Sequence, residues 1–399
     1  MLSLANTISS SSNAYEQLYS LDLDGVNDWL DIGDNWDPHQ NDFSISLWFK
    51  ADSDSGTADI LFSKFVDNNN KIEIGINGSN KLFAQAVASE KNAINNTAGT
   101  ELDALGLNWI HVVLTMDRDG NGKLYVNGST STYGLIASCQ NDTQNLNNTG
   151  SIYIGARSDN NLDFPGKIDE VAIWATSLSE TSVTAIYNSG KPFDLNYDRG
   201  NYTNSSNLHG YWRMGNGPFD DKQNGAVHDA HNPGFGSEAL VNGNFATSGT
   251  PTASSNSLGW KQGNADDDGS DITGGELILT HTADSDGNYT RVYATNGSAF
   301  LGPVNGATYK FTYTVSAVPT GSPTLSYYDG DSYNGMEETI GTHTTYFVHD
   351  STAGSNRFII KSSGTSTEIR LSYVSLVRLN GYPGLTSGDA VFSADTPDD

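Results

Sequence analysis

The sequence predicts an all-β protein made of two sandwiches. Three observations predict it. Forty-two glycines in 399 residues, with abundant Asn and Asp, supply the positive-φ and Asx positions that strand-to-strand turns require. Stretches of apolar–polar alternation recur along the chain. Two such blocks are separated by a Gly-, Asn-, Asp- and Pro-rich stretch at 215–237 that has little periodicity. Hydrophobic residues make up only 36% of the chain, yet 15 Phe, 19 Tyr and 7 Trp suffice to build cores.

Residues 1–16 read as a polar arm, with a serine run at Ser9–Ser12. Tyr19–Asp24 alternates, and Gly25–Asp28 punctuates it. Phe43, Ile45, Leu47 and Phe49 share one strand face, with Ser44, Ser46 and Trp48 on the other. A Trp on the second face predicts that this face is covered too. Trp109–Met116 is a strongly apolar strand, turned by Asp117-Arg-Asp-Gly-Asn-Gly122 into Lys123–Val126. Strands are expected at Ser151–Gly155, Gly166–Trp174 and Leu208–Met214. One helix is expected at Leu178–Asn188, capped by Ser177 or Ser179 and ended by Gly190 and Pro192. In the second block, strands are expected at 276–280, 309–318, 344–348, 357–360 and 368–379. The chain thus divides into the arm 1–16, a first sandwich at 17–235, a smaller sandwich at 236–382 and a polar, acidic tail at 383–399.

Forty-seven acidic against 20 basic residues give a net charge of −27, which disfavours nucleic acid and anionic membranes as partners. No stretch approaches the roughly 18 consecutive apolar residues of a membrane span. Met1–Ser20 has neither a basic n-region nor an apolar h-region, so the expectation is synthesis in a cytosol without a secretory signal. Cys139 is the single cysteine, which excludes an intrachain disulfide and a cysteine-based zinc site.

Four segments give the first block a family resemblance. Tyr19–Gly33 looks like an opening strand pair and Asp42–Lys50 like a third strand. Trp109–Asp117 with Leu124–Gly128 looks like a central hairpin, and Gly166–Trp174 followed by the helix like a closing strand and cap. In that order they resemble the laminin-G-like group of concanavalin A-like lectin/glucanase jelly rolls. The second block resembles family 4/9-type carbohydrate-binding modules through Glu238–Phe245, Gly259-Trp260 and Glu368–Val377. Ala246 and Ser372 stand where that family carries the carboxylates of a structural calcium site. The pairing of modules resembles structural proteins of tailed, particularly marine, phages.

The laminin-G resemblance implies a structural Ca²⁺ that ties Asp24, Asn27 and Asp28 of the opening turn to Asp169 and Glu170 of the closing strand. Asp117–Gly122 looks like half an EF-hand loop, but position twelve is Gly128 and the flanks are strands, so it reads as a hairpin turn. Asp266-Asp-Asp268 and Asp329-Gly-Asp331 read as solvated loop carboxylates. The Glu-x-Asp-x-x-Glu run typical of glucanases on this fold is absent; Glu101-Leu-Asp103 comes nearest. His228-Asp-Ala-His231 reads as exposed polar loop sequence. Neither a nucleophile elbow nor a Walker-type loop occurs. Glycan contact is left to exposed aromatics of the second block: Trp260, Tyr289, Tyr293, Tyr327, Tyr328 and Tyr333.

The expected protein is a non-enzymatic virion protein, made in the host cytoplasm and displayed on head or tail as decoration, fibre or appendage. Its partners would be other capsid or tail proteins and host surface glycans, met through homo-oligomeric or multivalent display. The alternatives are a cellular lectin or adhesin, and a glycoside hydrolase with an accessory module.

Overall fold

The computed structural model describes residues 15–397 except 54–55, 89–90, 102–106, 130–134, 139–143, 160–161, 253–257, 263–268, 282–288, 297–298 and 352–355. Ser9–Ser12, Cys139 and Asp266–Asp268 lie outside the described residues, as does most of Glu101–Asp103. The chain forms two compact units, 1–231 with 386–399, and 232–385.

The first unit begins with β1 (Ser20–Asp24), β2 (Trp29–Gly33), β3 (Phe43–Ala51), β4 (Asp59–Asp67), β5 (Asn70–Ile76), β6 (Lys81–Ala88) and β7 (Lys91–Glu101). It continues with β8 (Ile110–Met116), β9 (Asn121–Val126), β10 (Leu135–Ser138), β11 (Ile152–Ile154) and β12 (Pro165–Trp174). Helix α1 (Glu180–Tyr187), β13 (Leu208–Trp212) and β14 (Ala226–Val227) follow. The second unit holds β15 (Phe235–Glu238), β16 (Trp260–Gln262), β17 (Ser270–Thr273), β18 (Glu276–His281), β19 (Tyr289–Asn296) and β20 (Ala299–Phe300). Its remaining strands are β21 (Thr308–Thr320), β22 (Thr324–Tyr328), β23 (Tyr333–Met336), β24 (Gly341–Val348), β25 (Ile359–Ser363) and β26 (Thr367–Leu379). The chain then adds β27 (Gly384–Ser387) and β28 (Val391–Ser393).

One sheet of the first unit runs β10-β9-β8-β3-β12-β1-β28, with β13 also on β12; the other runs β14-β27-β2-β11-β4-β5-β6-β7. Phe43, Ile45, Leu47 and Phe49 are all fully buried on one face of β3. Leu23 in β1 packs directly on Gly155 at the end of β11, where a Cβ would come within 2.2 Å of Leu23 Cδ1. This joins the two sheets and explains the glycine. The second face of β3 is covered as well. Trp48 stacks on Tyr187 of α1 at 5.8 Å, and Ser44 Oγ accepts from Leu178 N at 2.9 Å. Ser179 caps the helix by accepting from Ser182 N. Under it lies a second core in which Trp174 Nε1 donates to Tyr202 Oη at 3.0 Å, which donates to Leu195 O at 2.8 Å.

In the second unit the sheets run β17-β18-β26-β21-β24 and β16-β19-β25-β22-β23, with β15 beside β26 and β20 beside β19. Phe311 is the hub of its core, with ring centroids 5.1, 5.3 and 5.1 Å from Tyr313, Tyr327 and Phe358. Glu238 fastens the opening of the unit to its last strand by accepting from Leu240 N and Leu376 N, both at 2.9 Å.

The segment 383–399 is not a free tail. β28 pairs antiparallel with β1 in the register Ser20↔Ser393, Leu21↔Phe392, Asp22↔Val391. Asp395 accepts from Lys50 Nζ at 2.5 Å and from Trp109 Nε1 at 2.9 Å. Three residues with a polar surround carry too little periodicity to reveal a strand, and edge pairing is a backbone matter. The unit boundary falls between 231 and 232, four residues before the sequence-based one, because Phe235 already pairs with Leu379. Tyr15 and Glu16, assigned to the arm, are packed against Arg213.

Deleting 386–399 therefore strips the outer edge of β1. The unfolding midpoint of the first unit is expected to fall by about 5–10 °C while that of the second holds. Differential scanning calorimetry checks this; an unmoved first transition would show that the pairing adds nothing.

Candidate functional sites

The sequence-predicted aromatics of the second unit separate into two groups. Trp260 is fully buried and Tyr327 is 5% exposed; both belong to the core and are removed from the glycan set. Their strands put them inside: Leu325 and Tyr327 face the core on β22, which leaves Tyr328 outward. Tyr289, Tyr328 and Tyr333 share the outer face. Tyr333 is 40% exposed, and its ring centroid lies 5.1 Å from that of Tyr328, directly opposite across β22 and β23. Lys361 Nζ lies 5.0 Å from the Tyr289 ring and 4.9 Å from the Tyr333 ring. Asp329 is spent on its own turn, accepting from Asp331 N at 2.9 Å, Ser332 N at 2.8 Å and Asn334 Nδ2 at 2.6 Å.

In the first unit, Asp24 and Asp28 gather with Asp389, one oxygen of each lying within 4.8 Å of the others. Asp28 is 1% exposed. It accepts from Asp24 N at 3.1 Å and from Asp389 N at 2.8 Å. Asn27, at φ 64°, carries the turn between the first two acids. Gly388 lets the returning chain approach, since a Cβ there would sit 2.2 Å from both Asn27 O and Asp28 Oδ1. Burial, then the neighbouring carboxylates of Asp24 and Asp389, push the Asp28 pKa up against two backbone donors. Such a group welcomes a cation, which removes the repulsion. Asp389 was missed because it is 361 residues from Asp28 in sequence.

Asp169 and Glu170 do not join this cluster. The β1–β12 register puts Asp24 opposite Pro165, four residues from Asp169 and roughly 13 Å along the strand. They sit instead where β12 changes partner from β1 to β13, a bulge at which Glu170 takes φ 50°. Both are buried, at 0% and 2% exposure. Glu170 accepts from Tyr211 Oη and from Arg213 Nε at 3.2 Å, and Gln17 Nε2 donates to Asp169. Arg213 also donates to Glu16 O at 2.7 Å and lies 4.2 Å from the Tyr15 ring centroid. Burial pushes Asp169 well above the carboxylate range and Glu170 up to about 7, the latter against the pull of Arg213.

A cleft of about 480 Å³ opens on the rim lined by Asp34, Trp36, Asp37, His39, Asp42 and His209. Its acids are engaged: buried Lys64 pairs with Asp34 and Asp37, and Asp42 accepts from Arg118 N at 2.8 Å. The Trp36 ring is 6% exposed and packs edge-on to Phe43. His228 is buried rather than exposed, beside Phe219, while His231 meets Asn196 at 3.0 Å, so the two do not form a ligand pair. Asp117–Gly122 is the tight β8–β9 hairpin turn.

Residues 24–184 match the family model of the concanavalin A-like lectin/glucanases superfamily, in its laminin G group. Over those residues the first unit is similar to that family. No curated protein sequence matches the chain. Among solved structures, a heptameric SAP-like pentraxin from Limulus polyphemus is 15% identical, with 44% of this chain and 84% of that one covered and a TM-score of 0.35. The CBM40 of a Ruminococcus gnavus IT-sialidase is 16% identical over 38% and 84%, with a TM-score of 0.30. A Trypanosoma rangeli sialidase is 16% identical over 37% of this chain and 23% of its own, with a TM-score of 0.28. Among the described residues no helix is long and apolar enough to cross a membrane.

The buried acids of the first unit give its stability a pH signature. A carboxyl whose folded pKa is raised stays protonated in the fold where the unfolded chain would ionise. Its stabilising effect is complete below about pH 4.5 and is lost as pH climbs through about 7. Glu170→Gln is expected to flatten that fall, by about 1–3 kcal/mol between pH 5 and 8. Urea unfolding of the two proteins at both pH values decides it; parallel curves would exclude Glu170 as the titrating group.

Proposed function

We propose that this chain is a non-catalytic, carbohydrate-binding structural protein of a tailed-phage virion, displayed on head or tail and meeting host surface glycans. The observation that carries the binding half is the outward Tyr328–Tyr333 pair with Lys361 beside it. Ring faces take sugar C–H groups, and the neighbouring Ser326 and Ser363 offer hydroxyls. The concanavalin A-like lectin match of residues 24–184 supports the same reading. Two features support a binding rather than a hydrolytic role. The perturbed carboxylates Asp169 and Glu170 are sealed from any substrate, and the cleft acids are held by Lys64 and Arg118. A charge of −27 keeps a densely displayed β-protein soluble, which supports the virion half. A cellular lectin or adhesin would use the same surface, and mass spectrometry of purified particles separates the two: absence of the chain sinks the virion reading.

Arrayed glycans should capture the multimerised protein, and Tyr328→Ala with Tyr333→Ala should weaken capture about tenfold or more. A binder that loses nothing in the double variant would place the site elsewhere.

Asp24, Asp28 and Asp389 would hold a structural Ca²⁺, with Asn27 O beside them, neutralising the triad and pinning the returning chain to the opening turn. At a hundredfold excess over its Kd, Ca²⁺ should stabilise the first unit by about 2.7 kcal/mol. That gain should vanish in Asp389→Asn and on chelation. A melting temperature indifferent to Ca²⁺ would refute the site.

A further inference from the structure

We propose that the outer face of the sheet β16-β19-β25-β22-β23 takes an acidic polysaccharide, one whose sugar rings carry carboxylate or sulfate groups. This rests on the glycan-binding reading and names its ligand class. The first ground is charge segregation. In a chain with 47 acids and 20 bases, these five strands contain no Asp or Glu. They do contain Lys261, Arg291 and Lys361, and Arg357 stands just before β25. The other sheet of the same unit carries Glu238, Asp271, Glu276 and Glu368 against Lys310, Arg370 and Arg378, so only the first of the two sheets is free of acids.

The second ground is where the cations stand. Tyr289, Arg291 and Tyr293 alternate with buried Thr290, Val292 and Ala294 on β19, so all three face outward. The register lines up Lys261, Tyr293, Ile359, Tyr328 and Tyr333 across the sheet, with Arg291 and Lys361 paired in the adjacent row. Arg291 lies 4.6 Å from the Tyr289 ring centroid and 5.9 Å from that of Tyr293. Arg357 lies 5.7 Å from the Tyr293 ring, and Lys361 sits between Tyr289 and Tyr333. A ring with a cation above it has little face left for a neutral sugar. The ligand meets the cation first, and the ring beneath holds that cation in place. Tyr293 is 7% exposed and serves as such a base, whereas Tyr333, with Lys361 Nζ 4.9 Å from its ring, is 40% exposed and keeps part of that ring for the sugar.

The third ground is range. At physiological ionic strength charges beyond about 8 Å are screened, so the acids that bear on this face are near ones such as Asp329 and Asp331 in the turn between Tyr328 and Tyr333, and Asp329 is tied into that turn by its own hydrogen bonds. Hydroxyls of Thr324, Ser326 and Ser363 stand among the outward positions and suit a hydroxyl-rich ligand.

The test uses the full chain against alginate oligosaccharides, carrageenan, laminarin and oligo(dT), by calorimetry over 50–200 mM NaCl. One or both acidic polymers are expected to bind, with affinity falling about tenfold across that range for two ion contacts. Arg291→Gln and Lys361→Gln together should cost at least tenfold, with the melting temperature unchanged; each single variant is the fallback if the double one misfolds. Laminarin bound as tightly, without salt dependence and without loss in the variants, overturns the acidic ligand and leaves the glycan reading standing. No binding to any glycan overturns both. Tighter binding of oligo(dT) than of either acidic polymer overturns the proposal in favour of a single-stranded nucleic-acid platform.

Discussion

The first unit is organised around one buried ion pair, Glu170 with Arg213, and the second carboxyl beside it. Two acids and one guanidinium in a dry site leave a charge uncompensated, so a proton must stay on one of the acids. The arrangement is expensive unless every partner is in place, and the partners come from distant parts of the chain. Gln17 and Glu16 bring the N-terminal segment, Tyr211 brings β13 and Arg213 the residue just after it, and Thr396 Oγ donates to Gln17 O at 3.4 Å. The joint sits where β12 gives up β1 and takes β13, a place where a regular ladder would leave backbone groups unpaired.

The excess of acid is not spread evenly. One part is consumed by turns: Asp31, Asp67, Asp117 and Asp329 each accept a backbone N–H two residues on. Another part is gathered into the triad of Asp24, Asp28 and Asp389. What remains leaves one sheet of the second unit without a single acidic strand residue. Local sign, and not the total of −27, decides what each surface meets.

Much of the fold was legible in the sequence because period-2 alternation survives wherever one strand face is buried. Phe43 to Phe49 and Glu368 to Leu379 show this. Trp48 on the polar face of β3 announced a second cover, and α1 provides it. Of the two cap candidates the structure uses Ser179, so the helix begins at Glu180, two residues after the expected start at Leu178. The sites were less legible. Alternation says that one of Tyr327 and Tyr328 faces outward and not which, because Leu325 and Met336 set the parity from neighbouring positions. The laminin-G resemblance alone ties Asp169 and Glu170 to the opening turn, and the bulge and change of strand partner that separate them from it leave no mark in composition. Asp389 could not be joined to Asp28 without the β28 pairing, which backbone hydrogen bonds and not apolar pattern determine.

That pairing makes the second unit an insertion, with residues 232–385 entering and leaving through the first. Ser20 stands opposite Ser393, so the two chain ends leave the β1–β28 ladder side by side. A pull applied between those ends runs through this ladder and bypasses the inserted unit. The ladder opens as a zipper, one pair of hydrogen bonds at a time, and the contacts beyond its last pair, Glu16 with Arg213, Thr396 with Gln17 and then Asp395 with Lys50 and Trp109, are the clasps that meet the strain before it.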